Sequence, residues 1–356
     1  MVGNEQQRSF LGVRMKAGIF QAAGAPMAVI DTPEPGLLAG DLLIKVGYSG
    51  VCGTDLHLTQ PGIASPLSPG AILGHEFSGE VAAVGGAAGG GWREGDRVTV
   101  MPYRPCPACG ALCKDGLDII CPKVAYLGIV QPGGNAQFVA VGAGQAMRLP
   151  EPVDLMSGAM VEPLAVGYHA VRKAGSLLGA RVMVIGAGPV GLSVLMFARL
   201  AGARCVMVSE PREAARRRAA TLGATATLDP RAGDVGAAFA DLAGGPPEVV
   251  FECVGVPGMI EEAVRIAPLF GRVIVVGACM ELDHLRPMVA LAKELTLTFV
   301  LGHDRGDFQF VIDCLAARRI DPGPMVTEVV GFERFPAAFD GLRGGADSCK
   351  LLLKPN

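Results

Sequence analysis

The run RVMVIGAGPVG at positions 181–191 constrains the fold of this chain more than any other stretch. Within it VMVI is a continuous apolar run, the pattern of a strand buried on both faces. It leads without a break into Gly186, Gly188 and Gly191, the G-x-G-x-x-G spacing. The stretch LSVLMFARLAG that follows predicts a helix ending at Gly202. At such a junction the first glycine permits a tight turn, the second lets the backbone approach a pyrophosphate, and the third lets helix and strand pack closely. The phosphates would rest against the free N–H groups of the helix N-terminus. Pro189 fits a first helical turn, where it has no donor to lose, and Val190 completes the loop. Glycine-rich turns are common, so the context matters: nineteen residues past Gly191, at the end of the next strand, stands Glu210. A carboxylate there can accept the hydrogen bonds of a ribose 2′-OH and repel a 2′-phosphate, which favours NAD over NADP. The alternative is a solvated glutamate at a strand end. Arg212, two residues on, would soften the discrimination.

Around this motif short apolar strands alternate with helical segments from about residue 155. Strand candidates stand at 181–186, 204–209, 225–228, 247–251, 272–277 and 295–300, with a helix over 212–222. Six strands so separated predict a doubly wound parallel sheet, an α/β fold. Before it lies a different texture: DLLIKVGYSGVC, EFSGEVAAVG, DRVTVMP and AQFVAVG are strands punctuated by Gly and Pro, a β-rich domain. The expected layout is a disordered extension over 1–14, a β-rich catalytic domain over 15–165 and 304–356, and an inserted dinucleotide-binding domain over 166–303. At 356 residues two domains are the first expectation. GGAAGGG at 85–91 reads as a flexible turn without chemistry. The net charge of -3 gives no reason to expect nucleic acid or an anionic membrane as partner. No apolar run reaches bilayer-spanning length and MVGNEQQRSF lacks a signal-peptide core, so a cytoplasmic location is expected.

The β-rich half carries a second constellation. GVCGTDLH (50–57) and GHEFSG (74–79) place Cys52 and His75 at strand ends beside glycines. Taken singly, Cys52 reads as a buried thiol and His75 as a satisfied core histidine. Thiolate and imidazole are nonetheless a pair that zinc favours. Glu76 and Glu162, two carboxylates near apolar segments, would be costly unless they serve a cation. Four more thiols crowd CPACGALCKDGLDIIC: Cys106, Cys109, Cys113 and Cys121. Disulfides, a redox pair, an iron–sulfur site or a zinc cage are all open on spacing alone, with disulfides disfavoured in a reducing compartment.

GVCGTDLH, GHEFSGEVAAVG, the clustered cysteines, VEPLAVG and VIGAGPVGL, in that order, resemble the zinc-dependent medium-chain dehydrogenase/reductase family over the chain from about residue 15. Glu in VEPLAV points within it toward the polyol (sorbitol-type) and threonine dehydrogenase branch. The resemblance implies a GroES-like catalytic domain beside a Rossmann domain. It implies a catalytic zinc held by Cys52 and His75, with Glu76 or Glu162 completing the shell directly or through water. It also implies hydride transfer between a secondary alcohol and a nicotinamide, a homodimer or homotetramer, and a structural zinc on Cys106, Cys109, Cys113 and Cys121. The family's spacing there is C-x2-C-x2-C-x7-C, and this chain reads C-x2-C-x3-C-x7-C. Thr54 and His57 suit a proton relay to solvent, since a hydroxyl donates and accepts and imidazole titrates near neutrality; Asp55 reads as structural. Two other classes stand beside this reading: a carbonyl reductase using NADPH, and a non-catalytic dinucleotide-binding sensor on the same fold.

Overall fold

The computed structural model describes residues 13–104, 121 and 124–356. The chain divides into two compact units: Met1–Glu162 with Asp304–Arg318 and Val326–Asn356, and Pro163–His303 with Arg319–Met325. The segment 319–325 thus goes with the second unit, whereas the sequence layout gave it to the first. The reason is local: the short 3-10 turn Gly323–Met325 packs on the helix Glu213–Thr221. At the other boundary Arg14 already belongs to a strand, while the expected extension over 1–12 lies outside the described residues.

The first unit is β-rich. Strands β1 (Arg14–Ile19) and β2 (Ala28–Pro33) form an antiparallel pair. The main sheet is built from β3 (Asp41–Gly50), β4 (Glu76–Val84), β5 (Arg97–Val100), β8 (Phe138–Gly142), β9 (Ala146–Arg148), β16 (Val326–Val330) and β17 (Lys350–Leu353). Its order is β16-β17-β3-β4-β5-β9, with β8 also paired to β3. A separate two-stranded pair joins β6 (Tyr103–Arg104) and β7 (Ala125–Tyr126). The core is the apolar face of these strands, with Leu42, Ile44, Phe77, Val98 and Val139 buried together. The long β3 runs between β4 and β17, and its last residue, Gly50, faces Glu76 on one side and Leu352 on the other. A Cβ on Gly50 would sit 2.2 Å from Glu76 Oε2, so the missing side chain leaves room for a contact that passes over β3.

The glycine loop at 85–91 is held. The carbonyls of Gly90 and Gly91 accept from Arg148 Nη2 at 3.1 and 3.0 Å, and the Arg148 guanidinium lies 3.9 Å from the ring centre of Trp92.

The second unit is a six-stranded, wholly parallel sheet. Its strands are β10 (Arg181–Ile185), β11 (Cys205–Ser209), β12 (Ala226–Leu228), β13 (Val249–Glu252), β14 (Arg272–Val275) and β15 (Thr296–Phe299). The order β12-β11-β10-β13-β14-β15 reverses direction at β10. That is the switch point at which doubly wound sheets take their ligands. The apolar runs are the buried central strands, and all five residues of β11 are buried.

Candidate active site

The glycine loop sits at the carboxyl end of β10. Gly186 has φ +98°, and a Cβ there would press on Val254. Gly191 is required by packing, since its Cβ would lie 2.0 Å from Gly186 O. Gly188 is different: a Cβ would meet no protein atom within 4 Å, and its φ of −74° suits any residue. Nothing in the protein demands glycine there, which is what a position kept bare for a ligand's pyrophosphate looks like. Gly188 N-caps the helix Pro189–Leu200 without a side-chain cap, leaving its first N–H groups to that ligand.

Beyond the loop opens a cavity of about 610 Å³, lined in part by Gly186, Glu210, Arg212, Val235 and Val254. Glu210 is 4% exposed. Its Oε2 accepts from Ala187 N at 3.0 Å, and its Oε1 from Arg212 N at 3.0 Å and Arg212 Nε at 2.8 Å. Burial would raise this carboxyl, but the Arg212 contacts and the Ala187 N–H outweigh it and hold the group below its ordinary value. Glu252, at the end of β13, shapes the neighbouring turn by accepting from Val254 N and Gly255 N.

In the first unit the ends of β3 and β4 bring the second constellation together. Cys52 follows β3 in extended conformation and N-caps the helix Gly53–Leu58. Its Sγ accepts from Thr54 N at 3.5 Å, and its own N–H donates to Asp55 Oδ2 at 3.0 Å, a capping box with sulfur in the hydroxyl's place. Asp55 is fully buried, and its other oxygen lies 3.5 Å from Nδ1 of His75, itself 2% exposed. At that distance neither atom has a standard hydrogen bond. Asp55 therefore does more than the structural task read from sequence: it fixes the backbone of Cys52 and turns Nδ1 of His75 toward itself, leaving Nε2 for another partner. Gly74, φ +97°, is forced to be glycine, since a Cβ would lie 2.6 Å from Asn135 Oδ1.

Glu76 is bound on both oxygens by Lys350 Nζ, at 2.8 and 2.6 Å, and Lys350 also donates to Val51 O at 3.1 Å. Both side chains are 1% exposed. Burial pushes the Glu76 carboxyl up while Lys350 pulls it back; burial would lower Lys350, and Glu76 holds it up. His75 is opposed by burial, yet the negative groups of Asp55 and Cys52 raise it well above the usual imidazole range. The ligand-type atoms of Cys52, His75 and Glu76 all lie within 4.8 Å of one another, a sulfur, nitrogen and oxygen set that suits zinc. The orphaned Nδ1 and Oδ1 beside them fit a cluster completed by a cation. Glu162, 6% exposed in the first turn of the helix Val161–Lys173, is outside that tight set but acts on Glu76 as a like charge.

Thr54 is exposed and His57 half-buried, one turn apart on the same short helix, with no side-chain hydrogen bond between them among the described residues. Cys121 is buried; Cys106, Cys109 and Cys113 lie outside the described residues. Sequence reasoning missed Lys350 and Tyr126. A lysine opening the apolar strand KLLL was a signal that a buried counter-charge awaited it. Tyr126 carried none: its ring stands edge-on to His75 with centroids 5.7 Å apart, and burial pushes its phenol well up.

The chain matches the alcohol dehydrogenase GroES-like domain over residues 38–151 and the zinc-binding dehydrogenase domain over 189–317. It is 33% identical over 320 residues to the 2-dehydro-3-deoxy-L-galactonate 5-dehydrogenase of Pseudoalteromonas atlantica, spanning 89% of this chain and 92% of that protein. The chain belongs to the zinc-binding dehydrogenase family. It is accordingly an oxidoreductase, with the GroES-like and Rossmann-like units of that family. Sorbitol dehydrogenase of Gallus gallus is 31% identical over 338 residues, 90% of this chain and 91% of that one. Among solved structures, one from Sinorhizobium meliloti described as a zinc-binding dehydrogenase bound to NADP superposes with TM-score 0.88 at 32% identity. It covers 96% of this chain and all of that one. No helix among the described residues is long and apolar enough to cross a membrane.

Proposed function

We propose that this chain transfers hydride between a secondary alcohol, in a polyol or sugar-derived substrate, and NAD, at a zinc held by Cys52, His75 and a carboxylate of Glu76 or Glu162. The observation that carries the reading is the Cys52–His75–Glu76 cluster, half-buried at Cys52 and buried at the other two, whose three donor types converge within 4.8 Å. A zinc ion there would act as Lewis acid on the substrate hydroxyl, and the nicotinamide would take up the hydride. The chain's own groups prepare the site: the Thr54 N–H directs the Cys52 sulfur, Asp55 orients His75, and Lys350 keeps Glu76 charged and in place. Thr54 and His57 carry the released proton outward along the helix Gly53–Leu58, the hydroxyl at its exposed start and the imidazole one turn on. NAD is favoured because both oxygens of Glu210 are fixed at the rim of the cavity, where a 2′-phosphate would meet a carboxylate. The cysteine cluster, from Cys106 to Cys121, is assigned a structural zinc.

The substrate class is supported by the polyol and sugar-acid dehydrogenases among the relatives. Self-association into a homodimer or homotetramer is supported by β15, an edge strand with Phe299 66% exposed; light scattering that finds only monomer would refute it. The test of the main reading is metal analysis with NAD reduction over a panel of diols, polyols, sugar acids and threonine. Two zinc ions per chain and turnover of at least one polyol are expected. Cys52→Ser should abolish turnover and leave NAD binding intact; retained activity would sink the role given to Cys52.

A further inference from the structure

Tyr126 is fixed by its backbone pairing and by two ring neighbours. Tyr126 pairs with Tyr103 in the β6–β7 ladder, and the Leu127 N–H donates to Pro102 O at 2.7 Å. Its carbonyl accepts from the N–H groups of Ile129, Val130 and Gln131, which closes the turn behind it. The ring lies 6.0 Å from that of the buried Tyr103 and stands at 71° to His75. The ionisable groups that act on its phenol are His75, Glu162, Cys52 and Asp55, and with the edge-on ring contact to His75 this puts Tyr126 beside the cluster assigned to the metal. Among the described residues no side chain or backbone group hydrogen-bonds that hydroxyl. Tyr126 is half-buried, and a tyrosine O–H set among polar groups ordinarily finds a partner. Here the rigid mounting and the missing partner together leave the place to a ligand.

We propose that Tyr126 is a specificity-determining residue that hydrogen-bonds a second hydroxyl of the substrate, on the carbon beside the reacting carbinol. The inference rests on the proposed site, because only a substrate oxygen held at the Cys52–His75–Glu76 cluster brings its neighbour alongside the ring that flanks His75. A vicinal diol offers that neighbour, and a simple secondary alcohol offers a methylene in its place. A site with a polar group waiting for an absent hydroxyl discriminates against the analogue lacking it.

The measurement compares 2,3-butanediol with 2-butanol, which differ by one hydroxyl, on the zinc-loaded wild type and Tyr126→Phe. The wild type should prefer the diol. The variant keeps the ring and should keep zinc content, NAD affinity and melting temperature. Its kcat/KM for the diol should fall about tenfold, the weight of one hydrogen bond, while that for 2-butanol stays within about twofold. An equal fall on both alcohols would make Tyr126 a structural residue, and no fall on the diol would exclude the contact; either overturns the inference and leaves the proposed function standing. A zinc-loaded wild type that oxidises neither alcohol nor any polyol would overturn both.

Discussion

Replacing Lys350 by Met tests the buried pair that anchors Glu76. The substitution removes two hydrogen bonds to Glu76 and one to Val51 O, and leaves a carboxylate that is 1% exposed without its counter-charge. Breaking a buried pair from one side costs about 3–5 kcal/mol. For a unit of this size that is a fall in melting temperature of roughly 6–20 °C. Glu76 can escape part of the cost by taking a proton, and burial already raises its carboxyl. Loss of Lys350 removes the group that opposes that rise. A folded-state carboxyl above its unfolded value binds more protons when native, so its contribution is present at low pH and is lost as pH rises through the folded value. The penalty in Lys350→Met should therefore shrink as pH falls toward the ordinary carboxylate range. The double variant Glu76→Gln/Lys350→Met, with no charge left to bury, should recover part of the loss, and the double-mutant cycle gives the coupling. Denaturant and thermal unfolding of the metal-free protein at several pH values measure it. A loss below about 1 kcal/mol for the single variant, or strict additivity in the cycle, would refute the reasoning.

Zinc uptake should weaken as pH falls, because the raised His75 holds a proton that the ion must displace; calorimetry in two buffers of different ionisation enthalpy should register its release. Asp55→Asn should lower zinc affinity by about 10–100-fold while leaving the helix Gly53–Leu58 in place, as expected for a group that orients a ligand. Gly188→Ala should fold with an unchanged melting temperature and lose NAD affinity, whereas Gly191→Ala, whose Cβ would meet Gly186 O, should lose stability as well; equal stability loss in the two would contradict the assignment of Gly188 to the ligand.

The Rossmann unit was legible almost to the residue because its information is local. A parallel strand buried on both faces declares itself as an apolar run, and β10, β11, β13 and β14 stand where such runs do. Gly186 and Gly191 are demanded by one turn, and Cys52 with His75 stood out because their motifs are short. What escaped was set by pairing between distant segments. Lys350 meets Glu76 across 274 positions, and only the register that sets Gly50 between β4 and β17 makes that contact. Tyr126 reaches His75 through a two-residue ladder too short to leave a periodicity. The Gly85–Gly91 loop read as flexible from composition, and its restraint comes from Arg148, more than fifty positions away.

Cys52 caps a helix with the same sulfur that is proposed as a metal donor, and Glu76 is moored by Lys350. The sulfur of Cys52 and the carboxylate of Glu76 are thus each held by protein groups, the first by the Thr54 N–H and the second by Lys350. Stripping a metal from such a site should leave the fold in place, in contrast to small domains that form only around their zinc. Such a site exercises little veto over which divalent ion arrives first. At a site of this kind the choice of ion falls to supply and to the affinity of sulfur and imidazole, and a chain carrying the wrong metal should look as well folded as one carrying the right one.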